Sequence, residues 1–291
     1  MARAAPPDPS GTMATRPGWK RLWWHSYRLG LRWLVRDAVR GWPAGKVGLQ
    51  RLVVPLDPWR YYELGRIADE PFAGVCLDVS SPKLLASLLR HEGRGEWLCI
   101  DLFEQEIEAW RRIDPRLRLD VQDATELPYA TASFAGGVCI SVLEHIGSGR
   151  DVVALSELWR VIRPGGILHL TTDVAREAGD VYIHERIYGR GSTAVDGDRV
   201  FFKHAYSTGE LESVVAACPW EVLVREFAVQ RRPGIERLFY ARRPWSYAYG
   251  PLLRLVCPAN FETSSSASLI DEAGSGVAYF QLRKPMERVD D

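Results

Sequence analysis

From residue 72 onward, short apolar runs alternate with helical patterns, and no other feature restricts the fold of this chain so strongly. The spacing predicts strands at 74–79, 97–100, 117–121, 136–141 and 167–171. Helices are expected at 83–90, 104–113 and 151–162, the last stopped by Pro164-Gly165-Gly166. A helix at 208–217 and strands at 222–229 and 277–282 complete the pattern. Strand and helix in alternation imply a parallel sheet covered by helices on both faces, and near-continuous apolar strands fit a sheet buried on both sides. In such folds ligands bind beyond the carboxyl ends of the strands, where strand order reverses. The residues to inspect are therefore 79–81, Asp101, Asp123 and 141–145.

Composition narrows the class. The 291 residues carry 37 basic and 37 acidic side chains, for a formal net charge of zero, and 46% are hydrophobic. These values suit a globular chain and exclude fibrous or wholly disordered ones. No uncharged apolar stretch is long enough to span a bilayer. The opening residues, MARAAPPDPSGTMATRPG, lack the apolar core of a secretion signal, so the expected location is the cytoplasm. The five cysteines form no Cys-x-x-Cys pair and are expected to be buried, free thiols; the six scattered histidines suggest no metal site.

The strand ends carry acceptors. Asp101 falls 23 residues after Asp78 and closes the second strand. A carboxylate there is placed to accept hydrogen bonds from both hydroxyls of a ribose. Asp123-Ala124 follows the third strand, where a carboxylate can accept from an adenine amino group. Ser141-Val142-Leu143-Glu144-His145 follows the fourth.

Residues 120–172 (DVQDATELPYATASFAGGVCISVLEHIGSGRDVVALSELWRVIRPGGILHLTT) resemble the class I S-adenosylmethionine-dependent methyltransferases. The likeness lies in Asp-Ala-x-x-Leu-Pro, then Ser-Phe, an apolar strand ending in Leu-Glu-His, and a closing Pro-Gly-Gly. Asp78, Asp101 and Tyr206-Ser207-x-x-Glu210-Leu211 extend it across residues 72–230. The resemblance implies a Rossmann-like α/β fold, a seven-stranded, mostly parallel sheet with an antiparallel last strand. It implies S-adenosyl-L-methionine as cofactor, held by Asp78, Ser80, Ser81, Asp101, Leu102, Asp123, Ala124 and Ser141. One departure stands out: the family's glycine-rich first loop is replaced by Asp78-Val79-Ser80-Ser81-Pro82-Lys83. Ser81-Pro82 still opens a helix whose N-terminal N–H groups can face a carboxylate. Lys83 either pairs with the cofactor's carboxylate or points to solvent. If the acceptor is a hydroxyl, a general base helps, and His145 is the best placed; the alternative for His145 is a helix-start contact. Glu144, His184, Glu185 and His204 are weaker candidates.

The flanks are basic and aromatic. Residues 16–42 hold seven basic residues and one acid. On a helix, Arg28, Arg32, Arg36 and Arg40 line up, with Trp23, Tyr27, Leu31, Leu34, Ala38 and Trp42 mainly opposite. Three readings stay open: packing on the core with solvated arginines, peripheral contact with an anionic membrane, or nucleic-acid binding, which the zero net charge disfavours. The expected organisation is a basic aromatic extension (1–45), a lid helix region (46–71), and a methyltransferase domain (72–291) with insertions at 176–205 and 231–276. Trp59, Tyr61, Tyr62, Arg60 and Arg66 have a lid reading and an ordinary packing reading. Residues 263–268 (TSSSAS) read as a flexible loop. The expected reaction is methyl transfer to a small-molecule, lipid-linked or glycan-linked acceptor; the alternative is a non-catalytic binding or scaffold module of the same fold.

Overall fold

The computed structural model describes residues 17–39, 51–147, 149–184, 195–196, 199–241 and 250–286. Arg40, Trp42 and Glu185 lie outside the described residues, as do parts of the lid region and of both insertions. The main sheet has eight strands in the order β10-β9-β11-β5-β4-β1-β2-β3. They are β1 (Val75–Val79), β2 (Glu96–Asp101), β3 (Arg118–Val121), β4 (Phe134–Ile140), β5 (Ile162–Ala175), β9 (Glu221–Gln230), β10 (Phe261–Ser264) and β11 (Ser275–Arg283). Strands β3, β2, β1, β4 and β5 run parallel, and β11 is antiparallel to both β5 and β9. The fold is therefore the expected Rossmann-like one, with one strand more than anticipated.

Side chains along each central strand alternate between two cores. Cys76, Trp97, Val138 and Tyr279 enter one, together with Leu22, Tyr61, Leu85 and Trp110 from helices. Leu77, Leu98, Cys139 and Phe280 enter the other, with Leu155, Leu158, Leu211 and Ile270. Helices Gly18–Val39, Arg60–Ile67, Leu84–His91 and Glu104–Ile113 contribute to the first core; Arg150–Val161, Thr208–Ala216 and Ser268–Ala273 contribute to the second. All five cysteines are buried and free.

Three expectations need correction. The serine-rich 263–268 stretch is not one flexible loop: Thr263 and Ser264 pair with Ala228 and Phe227 as the edge strand β10, and Ser268 opens a helix. The insertion after β5 holds a small antiparallel sheet of β6 (Gly179–Ile183), β8 (Arg199–Ala205) and β7 (Val195–Asp196). Pro164-Gly165-Gly166 lies inside β5, which starts at Ile162, and Lys284 Nζ donates to the Trp159 and Ile162 carbonyls at 2.7 and 2.8 Å.

The N-terminal helix is firmly docked. Arg21 reaches Asp69, Glu92 and the Ala68 carbonyl. His25 Nε2 lies 2.8 Å from Ser87 Oγ, which donates to Asp114 Oδ2 at 2.6 Å. Burial pulls the His25 pKa down to about 4, so the imidazole is neutral. Its buried face is Leu22, Trp23, His25, Ser26 and Leu29, whereas Leu31, on the apolar side of the sequence pattern, is exposed. The Arg60–Ile67 helix packs on the core: Tyr61 and Tyr62 are fully buried, and Arg66 pairs with Glu70 while its guanidinium lies 4.4 Å from the Tyr279 ring centroid.

Strand order reverses between β1 and β4; of the two β4 glycines, Gly137 is set against Leu77 of β1 and Gly136 against Ile167 of β5. A Cβ at Gly137 would stand 2.7 Å from the Leu77 carbonyl oxygen. Gly137→Ala should therefore destabilise the protein by about 1–3 kcal/mol, the usual cost of overpacking. Thermal melting checks this, and an unchanged Tm would show that the two strands separate freely.

Candidate functional site

The register brings the strand ends together: Asp78 opposes Cys99 and Val138, Asp101 opposes Val121, and Ile140 opposes Thr171. At the switch point the chain turns through Ser80, whose φ of +47° lies in the left-handed region that glycine adopts without strain. The turn thus keeps a glycine-like backbone without a glycine. Ser81 is buried; its hydroxyl donates to the Val79 carbonyl at 3.1 Å and accepts from Ile140 N–H at 2.8 Å, stitching β1 to β4.

Lys83 does not point to solvent. It is 1% exposed, and its ammonium donates to Asp101 Oδ2 at 2.6 Å. Asp101 Oδ1 accepts from Phe103 N–H at 3.0 Å. Next to this pair, Asp78 is fully buried; neither carboxylate oxygen has a partner of full hydrogen-bond geometry, its nearest donors being the Ser81 N–H and hydroxyl. Burial raises the Asp78 pKa to about 7; Lys83 opposes that rise and Asp101 adds to it. Leu102, half exposed, follows Asp101. Asp123 accepts from Thr125 N–H at 2.9 Å and Thr125 Oγ1 at 2.7 Å, and pairs with Arg150 at 2.9 Å. Burial pushes its pKa up, but these partners outweigh it and hold the carboxyl below the ordinary range. Ala124 is buried beside it.

Beyond β4 and β5 lies a second polar group. Ser141, at φ +51°, donates its hydroxyl to Glu63 Oε1, and its N–H bonds the Thr171 carbonyl at 2.9 Å. Glu63 also accepts from Thr171 Oγ1 at 3.1 Å and Arg60 at 2.6 Å. Glu144 is buried and accepts from Thr172 Oγ1 at 2.7 Å; burial first, then Asp173, raises its pKa. Asp173 pairs with Lys203 from β8. His145 sits on the one-turn helix Leu143–His145, where its Nδ1 lies 2.6 Å from the Phe202 carbonyl oxygen. That contact assigns the proton to Nδ1. Burial lowers the His145 pKa, favouring the neutral ring. His204 bridges Asp180 at 2.7 Å and Glu210 at 3.1 Å; burial opposes its positive charge, but these two carboxylates raise its pKa.

The site therefore has two parts, an edge with Asp78, Ser80, Ser81, Asp101, Leu102, Asp123 and Ala124, and a polar end with Ser141, Glu144 and His145. Sequence reasoning missed Glu63, Asp173 and Lys203. The polar run Thr171-Thr172-Asp173 closing an apolar strand was the available signal for Asp173. The carboxylate edge fits a nucleoside bearing a cationic group: Asp78 offers two buried oxygens without partners of full hydrogen-bond geometry, and Ser80 keeps the open turn. Lys83 and the Phe103 N–H take one acceptor position on each Asp101 oxygen, which leaves further lone pairs for a ligand. Among the described residues, no group of His, Cys, Asp and Glu could hold a metal ion, and no helix is long and apolar enough to cross a membrane.

A family model described as "Methyltransferase domain" matches residues 77–170, the segment that carries Asp78, Asp101, Asp123 and His145. Among solved structures, the chain is similar to the [4+2]-cyclase SpnF at 20% identity, over 78% of this chain and 83% of that one, with a TM-score of 0.50. It is also similar to an S-adenosylmethionine-dependent methyltransferase from Methanosarcina mazei at 14% identity, over 80% of this chain and 100% of that one, with a TM-score of 0.50. At these identities the likenesses establish the fold alone, and a fold shared with a cyclase does not fix the reaction. No curated protein matches the chain.

Two substitutions probe the edge. Lys83→Met leaves Asp101 and Asp78 without their cation and should destabilise the free protein by about 3–5 kcal/mol, the cost of breaking a buried pair. It also frees Asp101, so S-adenosylhomocysteine should raise the variant's Tm more than the wild type's; a smaller rise would make Lys83 a cofactor ligand. For Asp78, the folded pKa lies above the unfolded value of 3.8. The folded state then binds the proton more tightly, so this contribution to stability is full below the unfolded value and is lost as pH rises through about 7. Asp78→Asn should remove that loss, gaining about 2 kcal/mol relative to wild type between pH 5 and pH 8. Denaturant unfolding at both pH values measures the difference; parallel curves would place the Asp78 carboxyl in contact with water.

Proposed function

We propose that this chain, which carries the methyltransferase domain of the class I S-adenosylmethionine-dependent family, moves a methyl group onto a small-molecule acceptor, free or linked to a lipid or glycan. The observation that carries this reading is the coincidence of the family match at 77–170 with one edge of strand-end carboxylates, where the buried Asp78 oxygens lack partners of full hydrogen-bond geometry. In this reading Asp101 accepts the ribose hydroxyls, with Leu102 against the base. Asp123, beside Ala124, accepts from the adenine amino group, and Asp78 faces the cofactor's ammonium. The Ser80-Ser81 turn and Ser141 complete the cofactor-binding edge. When bound, the cofactor supplies an electrophilic methyl group on a sulfonium.

The chain's own task is to orient the acceptor and exclude water. His145, just past the end of β4 and held through Nδ1 by the Phe202 carbonyl, is the base in this reading, taking the proton of an acceptor hydroxyl. Glu144, Asp173 and Lys203 set the electrostatics around it, and Phe202 covers one side of its ring at 5.1 Å between centroids. A second reading, a binding module without turnover, draws on the Lys83–Asp101 contact that fills part of the edge.

Calorimetric titration with S-adenosylhomocysteine, paired with mass detection of methylated product from cell extract, separates the two. Heat of binding and a product gaining one methyl group are expected. Asp101→Asn should weaken binding by about 1–3 kcal/mol. His145→Ala should retain binding while turnover drops by about a hundredfold. Binding without product would leave the module reading; no binding at all would remove the cofactor assignment.

A further inference from the structure

The outward face of the N-terminal helix has no role in the site described above. Helix Gly18–Val39 spans 22 residues, about 33 Å at the usual rise per residue. Its docked face is fixed by the Arg21, His25 and Ser87 contacts, so its solvent face is fixed too. That face presents Lys20, Trp24, Arg28, Leu31, Arg32, Val35 and Val39, with no carboxylate among its described side chains. Trp24, Leu31, Val35 and Val39 are 52%, 48%, 57% and 82% exposed.

A second exposed apolar and basic element adjoins the helix at its docked flank. The short helix Leu253–Val256 meets it there, the Arg254 guanidinium 5.0 Å from the ring centroid of the buried Trp23. Leu252, Leu255 and Val256 are exposed there, as is Arg254. Among the described residues, half of the exposed large apolar side chains lie on these two segments. Cationic grooves flank the N-terminal helix. One is lined by Lys20, Arg21, Arg28, His91 and Glu92, the acid being paired with Arg21, with a volume of about 500 Å³. The other is lined by Arg32, Arg36, Arg112 and Arg116, with a volume of about 300 Å³. Asp114 in the second groove is already taken by Arg116 and Ser87.

We infer that this face is a docking surface for an anionic lipid bilayer. The N-terminal helix lies along the membrane plane, its exposed apolar side chains enter the acyl boundary, and its basic side chains and flanking grooves receive lipid phosphates. The interleaving of apolar and basic residues chooses this occupant. Nucleic acid rewards the cations but not Leu31, Val35, Val39 and Leu255. A second copy of the chain would bring like charges together. A lipid interface accepts both kinds of side chain, and Trp and Arg are favoured there. The inference stands apart from the methyl-transfer reading, because every residue it uses lies outside the strand-end site.

Flotation of the full chain with vesicles tests it. Phosphatidylcholine vesicles are compared with vesicles containing about 30% phosphatidylserine. The wild type should float with the anionic vesicles and remain below with the neutral ones. Arg28→Glu/Arg32→Glu and Leu31→Ser/Val35→Ser should each reduce the floated fraction about tenfold. Both pairs are exposed, and unchanged melting curves and unchanged S-adenosylhomocysteine titration would show that fold and site are intact. Equal flotation of wild type and both variants, or no flotation of wild type, would overturn the inference. Loss in the charge variant alone, with DNA duplex binding retained by the serine variant, would also overturn it in favour of a polyanion site.

Discussion

The ion pair between Lys83 and Asp101 is the constraint on which the functional end of this fold depends. Both groups are almost entirely out of water, and each would be costly to bury alone. The pair also lowers the cost of Asp78, whose carboxylate is fully buried with only the weakly placed Ser81 donors beside it. Remove the cation and two acids face each other across β1 and β2. The lysine therefore does in the free protein what a bound cationic nucleoside would do in the complex. It reaches that position because Ser80 takes a left-handed turn and Ser81 ties the turn to β4, delivering Pro82 and Lys83 inward.

The same turn joins two chemical halves. On one side are acceptor oxygens arranged along β1, β2 and β3. On the other, beyond β4 and β5, Glu63, Glu144, Asp173, Arg60 and Lys203 form a dense set of paired charges around Ser141 and His145. The sheet holds these halves at one edge because β1 and β4 are neighbours although β2 and β3 intervene in sequence. The N-terminal helix closes one core by packing on the helices that follow Trp59 and Lys83, and leaves a basic, apolar face outward. Fold, candidate site and outward surface are thus carried by different parts of the chain.

The central strands were legible because their side chains alternate between two apolar cores, which forces near-continuous hydrophobic runs such as VCLDV and FAGGVCI. The acids at their ends were legible because they interrupt those runs. Edge elements were not. Thr263 and Ser264 are polar because β10 has a neighbour on one side only, so their composition resembles a loop. The β6–β8–β7 sheet is mostly half-exposed and carries no apolar run of that kind. The burial of Lys83 was not legible because lysine is normally solvated, and only the three-dimensional proximity of Asp101 makes it favourable. Glu63 escaped notice because it lies before the first strand and reaches the site across the fold. In the N-terminal helix, apolar residues occur on every side, so periodicity did not reveal that Leu31 faces out.

The most direct measurement is a crystal structure of the chain grown with saturating S-adenosylhomocysteine. The expected result is ribose hydroxyls on Asp101 and the ligand's ammonium facing Asp78. An empty edge at saturating ligand, with the Asp78 carboxylate still beside the Ser81 donors alone, would contradict the assignment of this edge as a cofactor site.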